Sequence, residues 1–176
     1  MPSARFTRRR VLGLGLLSAG ALVVSGVGAG VYLRGCAPSR LRLRAIDAHQ
    51  YLTLERLVEA LFTADAGCGV DVAALELPRA FDVYLADEPE EVASQLRNAL
   101  LLLELGPVLD GHGASPFSRL SVDARARFFE GWMRGDDLTR RKLTVALRKF
   151  FNLSLYDRPE LWPHLGYPGP AFGGAE

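Results

Sequence analysis

The sequence predicts an all-α protein: a compact bundle of about five helices, behind an N-terminal hydrophobic helix and ahead of an extended C-terminal tail rich in proline, glycine and aromatic residues. Three observations predict it. Apolar residues recur at helical spacing from Leu54 onward, no stretch shows the β-branched alternation of a strand, and Val11 to Leu33 is an uncharged run of 23 residues. The 176 residues carry 21 Lys and Arg against 20 Asp and Glu, and 49% are hydrophobic. Near-neutral charge excludes a nucleic-acid binder that works through a strong basic field, and the hydrophobic fraction excludes a disordered chain. Two cysteines are too few for a disulfide framework or a four-thiolate metal site.

Charge is unevenly spread. Residues 1–36 hold five arginines (Arg5, Arg8, Arg9, Arg10, Arg34) and no acid, so 16 of the 21 basic residues remain beside 20 acids in 37–176, a net charge of −4. The chain accordingly divides into an apolar, basic segment 1–36, a basic linker 37–46, a helical domain 47–156 and a C-terminal tail 157–176. The uncharged run is long enough to span a hydrocarbon core. Seven of the 18 glycines fall in residues 1–36, however, which lowers both its helix propensity and its hydrophobicity.

Thr7-Arg8-Arg9-Arg10-Val11-Leu12 resembles the twin-arginine export motif, Ser/Thr-Arg-Arg-x-apolar-Leu. The signature pairs are Thr7 with Arg8 and Arg9, then Val11 and Leu12; Gly13 stands where lysine is common. The resemblance implies recognition by the twin-arginine translocase, which moves folded passengers, and delivery to the periplasmic side of the inner membrane. Leu33-Arg34-Gly35-Cys36 has the outline of a lipobox with Arg34 where a small uncharged residue is usual. Three fates stay open at this point: lipidation at Cys36, a disulfide between Cys36 and Cys68, or an uncleaved anchor.

The helices follow in order. Leu54, Leu57, Val58, Leu61 and Phe62 form the i, i+3, i+4, i+7, i+8 stripe of an amphipathic helix that stops before Gly67-Cys68-Gly69. Asp71 stands at an N-cap position and opens a second helix to about Leu85, kinked or broken at Pro78. Pro89-Glu90-Glu91 opens a third, with acids against the positive end of its dipole. Its Ala99-Leu100-Leu101-Leu102-Leu103 stretch is apolar all round and predicts the buried centre of the bundle, and Gly106-Pro107 predicts its weakening or end. Ser121 or Asp123 caps a fourth helix bearing Ala126, Phe129, Trp132 and Met133 on one face. After Gly135-Asp136-Asp137 a fifth runs to about Tyr156, with Leu143, Leu147, Phe150 and Phe151 inward. From Asp157 to Pro170, four prolines, two glycines, Trp162 and Tyr167 predict a stiff, non-helical segment of the kind that anchors interfaces.

Catalytic signatures are missing from the sequence. It contains no Gly-x-Ser-x-Gly, His-Glu-x-x-His or Cys-x-x-Cys-His motif. Gly26-Val27-Gly28-Ala29-Gly30 lies within the apolar segment without a preceding strand and is not a dinucleotide loop. His49 reads as a solvated residue near a helix start, His112 as a loop residue without a sequence-evident partner, and His164 as an interface hydrogen-bonder. Arg140-Arg141-Lys142 reads as a solvated helix face, with a partner-facing patch as the alternative.

Together these pieces resemble the gluconate 2-dehydrogenase subunit 3 family, the small or gamma subunit of FAD-dependent sugar and alcohol dehydrogenases of the glucose-methanol-choline type. The resemblance rests on the twin-arginine leader, the early helix from Leu54 to Asp65 followed by a glycine-rich turn, and Phe117-Ser118-Arg119-Leu120. Its most specific part is the ending: Tyr156-Asp157-x-Pro159, Trp162-Pro163 and Gly166-Tyr167-Pro168-Gly169-Pro170. It spans most of residues 47–170. One departure is Thr63-Ala64-Asp65, where the family commonly has Pro-Ala-Asp.

The resemblance implies a non-catalytic subunit with no cofactor of its own. FAD would sit in a large partner subunit that lacks an export signal, and a cytochrome c subunit often takes the electrons. The small subunit would escort the flavoprotein through the translocase, with Tyr156, Pro159, Trp162, Pro163, Gly166, Tyr167, Pro168, Gly169 and Pro170 as the docking residues. The alternative is a stand-alone exported helical protein or lipoprotein acting as a binding module. A third expectation, a small enzyme that uses His112, is the weakest of the three.

Overall fold

The computed structural model describes residues 42–62 and 70–169. The chain divides into two units, Met1–Gly35 and Cys36–Glu176, and every described residue belongs to the second. The export motif (Thr7, Arg8, Arg9, Val11, Leu12), Cys36, Cys68 and Pro170 therefore lie outside the described residues. Among those described, 74% are helical and none is in a strand, so the all-α expectation holds for them. No described helix is long and apolar enough to cross a membrane.

Helix α1 (Ala48–Leu61) begins six residues before its apolar stripe becomes obvious, because Asp47 and Gln50 form a capping box. The Gln50 N–H donates to Asp47 Oδ1 at 2.8 Å, and the Asp47 N–H donates to Gln50 Oε1 at 2.9 Å. Asp71 does cap a helix, but only a 3-10 turn, Val72–Leu75. The break expected at Pro78 comes two residues earlier, at Glu76, whose φ of 46° is left-handed. Helix α2 (Leu77–Ala86) then starts afresh with Pro78 in its first turn, where a proline has no N–H to waste.

Helix α3 (Glu90–Leu109) opens on Glu90 and Glu91 as its sequence predicts, but it runs through Gly106-Pro107 rather than ending there. Leu101 is 39% exposed and Leu102 half-buried, so the leucine run is not the centre of the bundle. That place belongs to α1, which packs against α2, α3, the 3-10 turn Phe117–Arg119 and helix α4 (Val122–Arg134). Ser121, not Asp123, caps α4 by accepting the Ala124 N–H. Helix α5 (Leu138–Tyr156), capped by Asp137, closes the bundle against α4 and α2. Its Leu143, Leu147 and Phe151 are buried, with Phe151 stacked on Phe81 of α2 at 6.2 Å between centroids.

Beyond Tyr156 the structure departs from the expected extended tail. Pro159–Leu161 is a 3-10 turn and Trp162–Leu165 a single α-helical turn, α6, stopped by Gly166 at φ 65°. Both begin with proline in a first-turn position, where its fixed φ favours a helix instead of breaking it.

Three charged side chains are buried in this apolar interior. Asp82 on α2 accepts the backbone N–H groups of Arg44, Ala45 and Ile46 at 2.9–3.1 Å and so ties the segment before α1 to the bundle. Arg125 on α4 donates to the Arg56 carbonyl at 2.7 Å and to Glu59 at 2.9 Å, both on α1. Glu104 on α3 accepts from the hydroxyls of Thr53 and Ser118 and from the Ser118 N–H, at 3.1, 2.6 and 3.1 Å. Burial pushes the Glu104 carboxyl above its ordinary range, although these bonds and the neighbouring His49 pull the other way.

The sign of the resulting pH dependence follows. A carboxyl that holds its proton more tightly when folded adds stability that is full below the ordinary carboxylate range and is lost as pH rises through the raised value. Glu104→Gln keeps the shape and an acceptor for Thr53 but cannot ionise. Thermal melts from about pH 4 to about pH 8 are expected to show wild type losing stability relative to this variant as pH rises. Parallel curves for the two proteins would refute a buried, titrating Glu104.

Candidate functional site

The sequence expects its docking residues in the tail, and of those described the structure brings Tyr156, Tyr167 and Gly169 against Trp162. The Trp162 indole N–H donates to the Tyr156 carbonyl at 3.0 Å, joining the tail to the last turn of α5. The Tyr167 N–H donates back to the Trp162 carbonyl at 2.9 Å, and the Tyr167 ring stands edge-on to the indole at 5.6 Å. Gly169, at φ 102°, lies against the other part of the ring: a Cβ there would be 3.4 Å from Trp162 Cζ3. The tail is thus a small knot wound on one half-buried tryptophan.

What fixes the knot to the bundle is Leu161, 1% exposed and part of the main core. Outward, the knot and the end of α5 present Leu153 (70% exposed), Tyr156 (56%), Leu165 (49%) and Tyr167 (47%). Pro159, Pro163, Gly166 and Pro168 are exposed beside them. Large apolar side chains this accessible, on one braced segment, have the composition of interface anchors.

The remaining sequence candidates separate. His112 is exposed and sits edge-on to Phe128 at 5.8 Å between centroids, and its ring makes no hydrogen bond among the described residues. His164 is exposed on α6. His49, expected to be solvated, is half-buried on α1 near Glu104. The basic run divides: Arg141 and Lys142 are exposed, whereas Arg140 pairs with Asp110 at 2.7 Å and lies 4.9 Å over the Trp132 ring. Among the described residues no group of three or more His, Cys, Asp and Glu side chains could hold a metal ion.

A second feature was not anticipated. A cleft of about 580 Å³ runs along α1 and is walled by Tyr51, Glu55, Val58, Glu59 and Phe62, facing Val70–Ala73, Glu76, Pro78 and Val122. Among the described residues its lining is mostly apolar and its charged side chains are all acidic. Spacing alone carried a faint signal of it: Tyr51, Glu55, Val58, Glu59 and Phe62 recur at i, i+4, i+7, i+8 and i+11, one stripe of a helix.

No family model matches this chain, and neither does any curated protein or any solved structure.

Proposed function

We propose that the chain is the non-catalytic small subunit of an exported FAD-dependent dehydrogenase of the glucose-methanol-choline type, which it escorts through the twin-arginine translocase and holds at the periplasmic side of the inner membrane. The supporting observation is the knot at Trp162. It is tied to the bundle by Leu161 and to the end of α5 by the Trp162 hydrogen bond, yet it offers four large apolar side chains to solvent (Leu153, Tyr156, Leu165, Tyr167). A preformed surface of this kind loses little conformational entropy on docking. The resemblance of Tyr156–Pro170 and of the leader to the gluconate 2-dehydrogenase subunit 3 family supplies the class of partner. In this reading FAD and the substrate pocket belong to the large subunit, and a cytochrome c subunit is a further candidate member of the complex.

The test is purification of the C-terminally tagged chain from its native cells in mild detergent, followed by an absorbance spectrum and a gel. A co-purifying larger chain with flavin bands is the expected result. Trp162→Ala and, more gently, Tyr156→Ala should lower the flavin recovered by about tenfold, as truncation of interface anchors does. Undiminished recovery in both variants would refute the docking surface. A second reading, a stand-alone exported binding module, is favoured by the cleft beside Tyr51. It predicts a single colourless, monomeric band.

A further inference from the structure

The cleft along α1 combines apolar side chains, an acidic charged lining and one largely buried tyrosine whose hydroxyl makes no hydrogen bond among the described residues. The charge balance can be read residue by residue. Glu59 is spoken for by Arg56 and the buried Arg125. Glu76 meets Arg79 only loosely, at 3.6 Å, and both are exposed. Asp71 accepts the Ala73 N–H but has no cation, and Glu55 has neither an ion pair nor a hydrogen bond among the described residues. Tyr51 is 7% exposed, lines the cleft, and its hydroxyl makes no hydrogen bond among the described residues. The side chains whose charge it feels most strongly are Glu76 and Glu55, and both line the same cleft. Burial, with those two carboxylates behind it, pushes the phenol above its ordinary value and keeps it neutral.

A hydroxyl in the wall of a cleft without a protein partner leaves a hydrogen-bonding position for a molecule that enters it. What fits is set by complementarity. The oxygen of Tyr51 accepts, the carboxylates of Glu55, Asp71 and Glu76 accept and attract positive charge, and the Val58, Phe62, Val72 and Val122 side chains take an apolar body. Anions are repelled, and a neutral apolar molecule leaves the rim unsatisfied. We propose that this cleft is a binding site for a small organic cation, an ammonium group carried on an apolar body, with Tyr51 and Glu55 as its polar contacts. The volume lies in the range of pockets that enclose small molecules. The site stands independently of the docking function argued above.

The experiment uses the full-length chain in lipid nanodiscs and three probes of nearly equal shape: 2-phenylethylamine, the neutral 2-phenylethanol and the anionic 3-phenylpropionate, titrated by calorimetry against empty discs. Saturable binding of the amine is expected, at least about tenfold tighter than the alcohol, with no binding of the carboxylate. Glu55→Gln should weaken the amine by about tenfold without touching the fold, since its side chain is only half-buried. Tyr51→Phe should weaken it several-fold while leaving thermal stability unchanged, because the hydroxyl bonds to no described residue. Val122→Trp, which fills the mouth, should abolish binding. No saturable heat up to roughly millimolar amine, equal affinity for amine and alcohol, or binding that survives both Glu55→Gln and Val122→Trp would each overturn the proposal.

Discussion

Asp82→Ala should cost the folded protein roughly 3 to 5 kcal/mol, the largest single-residue loss expected here. The carboxylate is 2% exposed and accepts three successive backbone N–H groups, Arg44 through both of its oxygens. Hydrogen bonds to a charged acceptor contribute about 1.5–3 kcal/mol each, and truncation leaves those donors without partners where water has little access. Asp82→Asn separates charge from shape. Its oxygen can still take the contacts now made by Oδ1, but the amide would set a donor against the Arg44 N–H, so a loss of about 1–2 kcal/mol is expected. Denaturant unfolding measures both, and hydrogen exchange should show the amides of Arg44, Ala45 and Ile46 losing protection before the bundle does. A cost below about 1 kcal/mol for Asp82→Ala would show that these bonds do not hold the segment.

Gly106→Ala should destabilise by about 2 kcal/mol even though alanine is the better helix former by up to about 1 kcal/mol. The reason is contact. A Cβ at this position of α3 would lie 2.4 Å from Trp132 Cζ2, 2.6 Å from Cη2 and 2.8 Å from Phe128 Cζ. The indole cannot simply step aside, since its N–H donates to Asp110 at 2.8 Å and Arg140 covers its face. Thermal melting should fall by roughly 5–10 °C. Adding Trp132→Phe, harmful alone, should restore part of that loss because the smaller ring frees the contested volume. If the glycine variant melts with wild type, α3 and α4 do not meet this closely.

Much of the helical plan was legible because its signals are local. The stripes of α1 and α5 follow from 3.6-residue periodicity, and Ser121, Asp137 and the Glu90-Glu91 pair mark helix starts by hydrogen-bonding and dipole rules that need only neighbouring residues. What was misread depends on residues distant in sequence. Gly106-Pro107 looked like a terminator, whereas the glycine is there to admit Trp132 from another helix. The leucine run of α3 looked like the centre, but which side of a uniformly apolar helix is covered depends on its neighbours. In the tail, prolines were taken for helix breakers although Pro159 and Pro163 sit in first turns. Nothing local along the tail pointed to Leu161 as the residue that fixes the expected docking segment to the core. An acid inside Leu100–Leu105 and another between Phe81 and Leu85 were visible hints of Glu104 and Asp82, yet their partners lie 14 to 51 and 36 to 38 positions away.

Leu161 has a consequence for the order of events. Because it fills the main core while its neighbours Trp162 and Leu165 wind the outer knot, the place of the apolar side chains Tyr156 and Tyr167 on the bundle depends on that leucine being seated. Under the docking function proposed above, the surface would therefore work as a certificate of completion. A partner that grips it takes up finished molecules alone, and by mass action every such encounter draws the population away from unfolded chains. For the export proposed above, which moves folded passengers, inspection and attachment would become a single act.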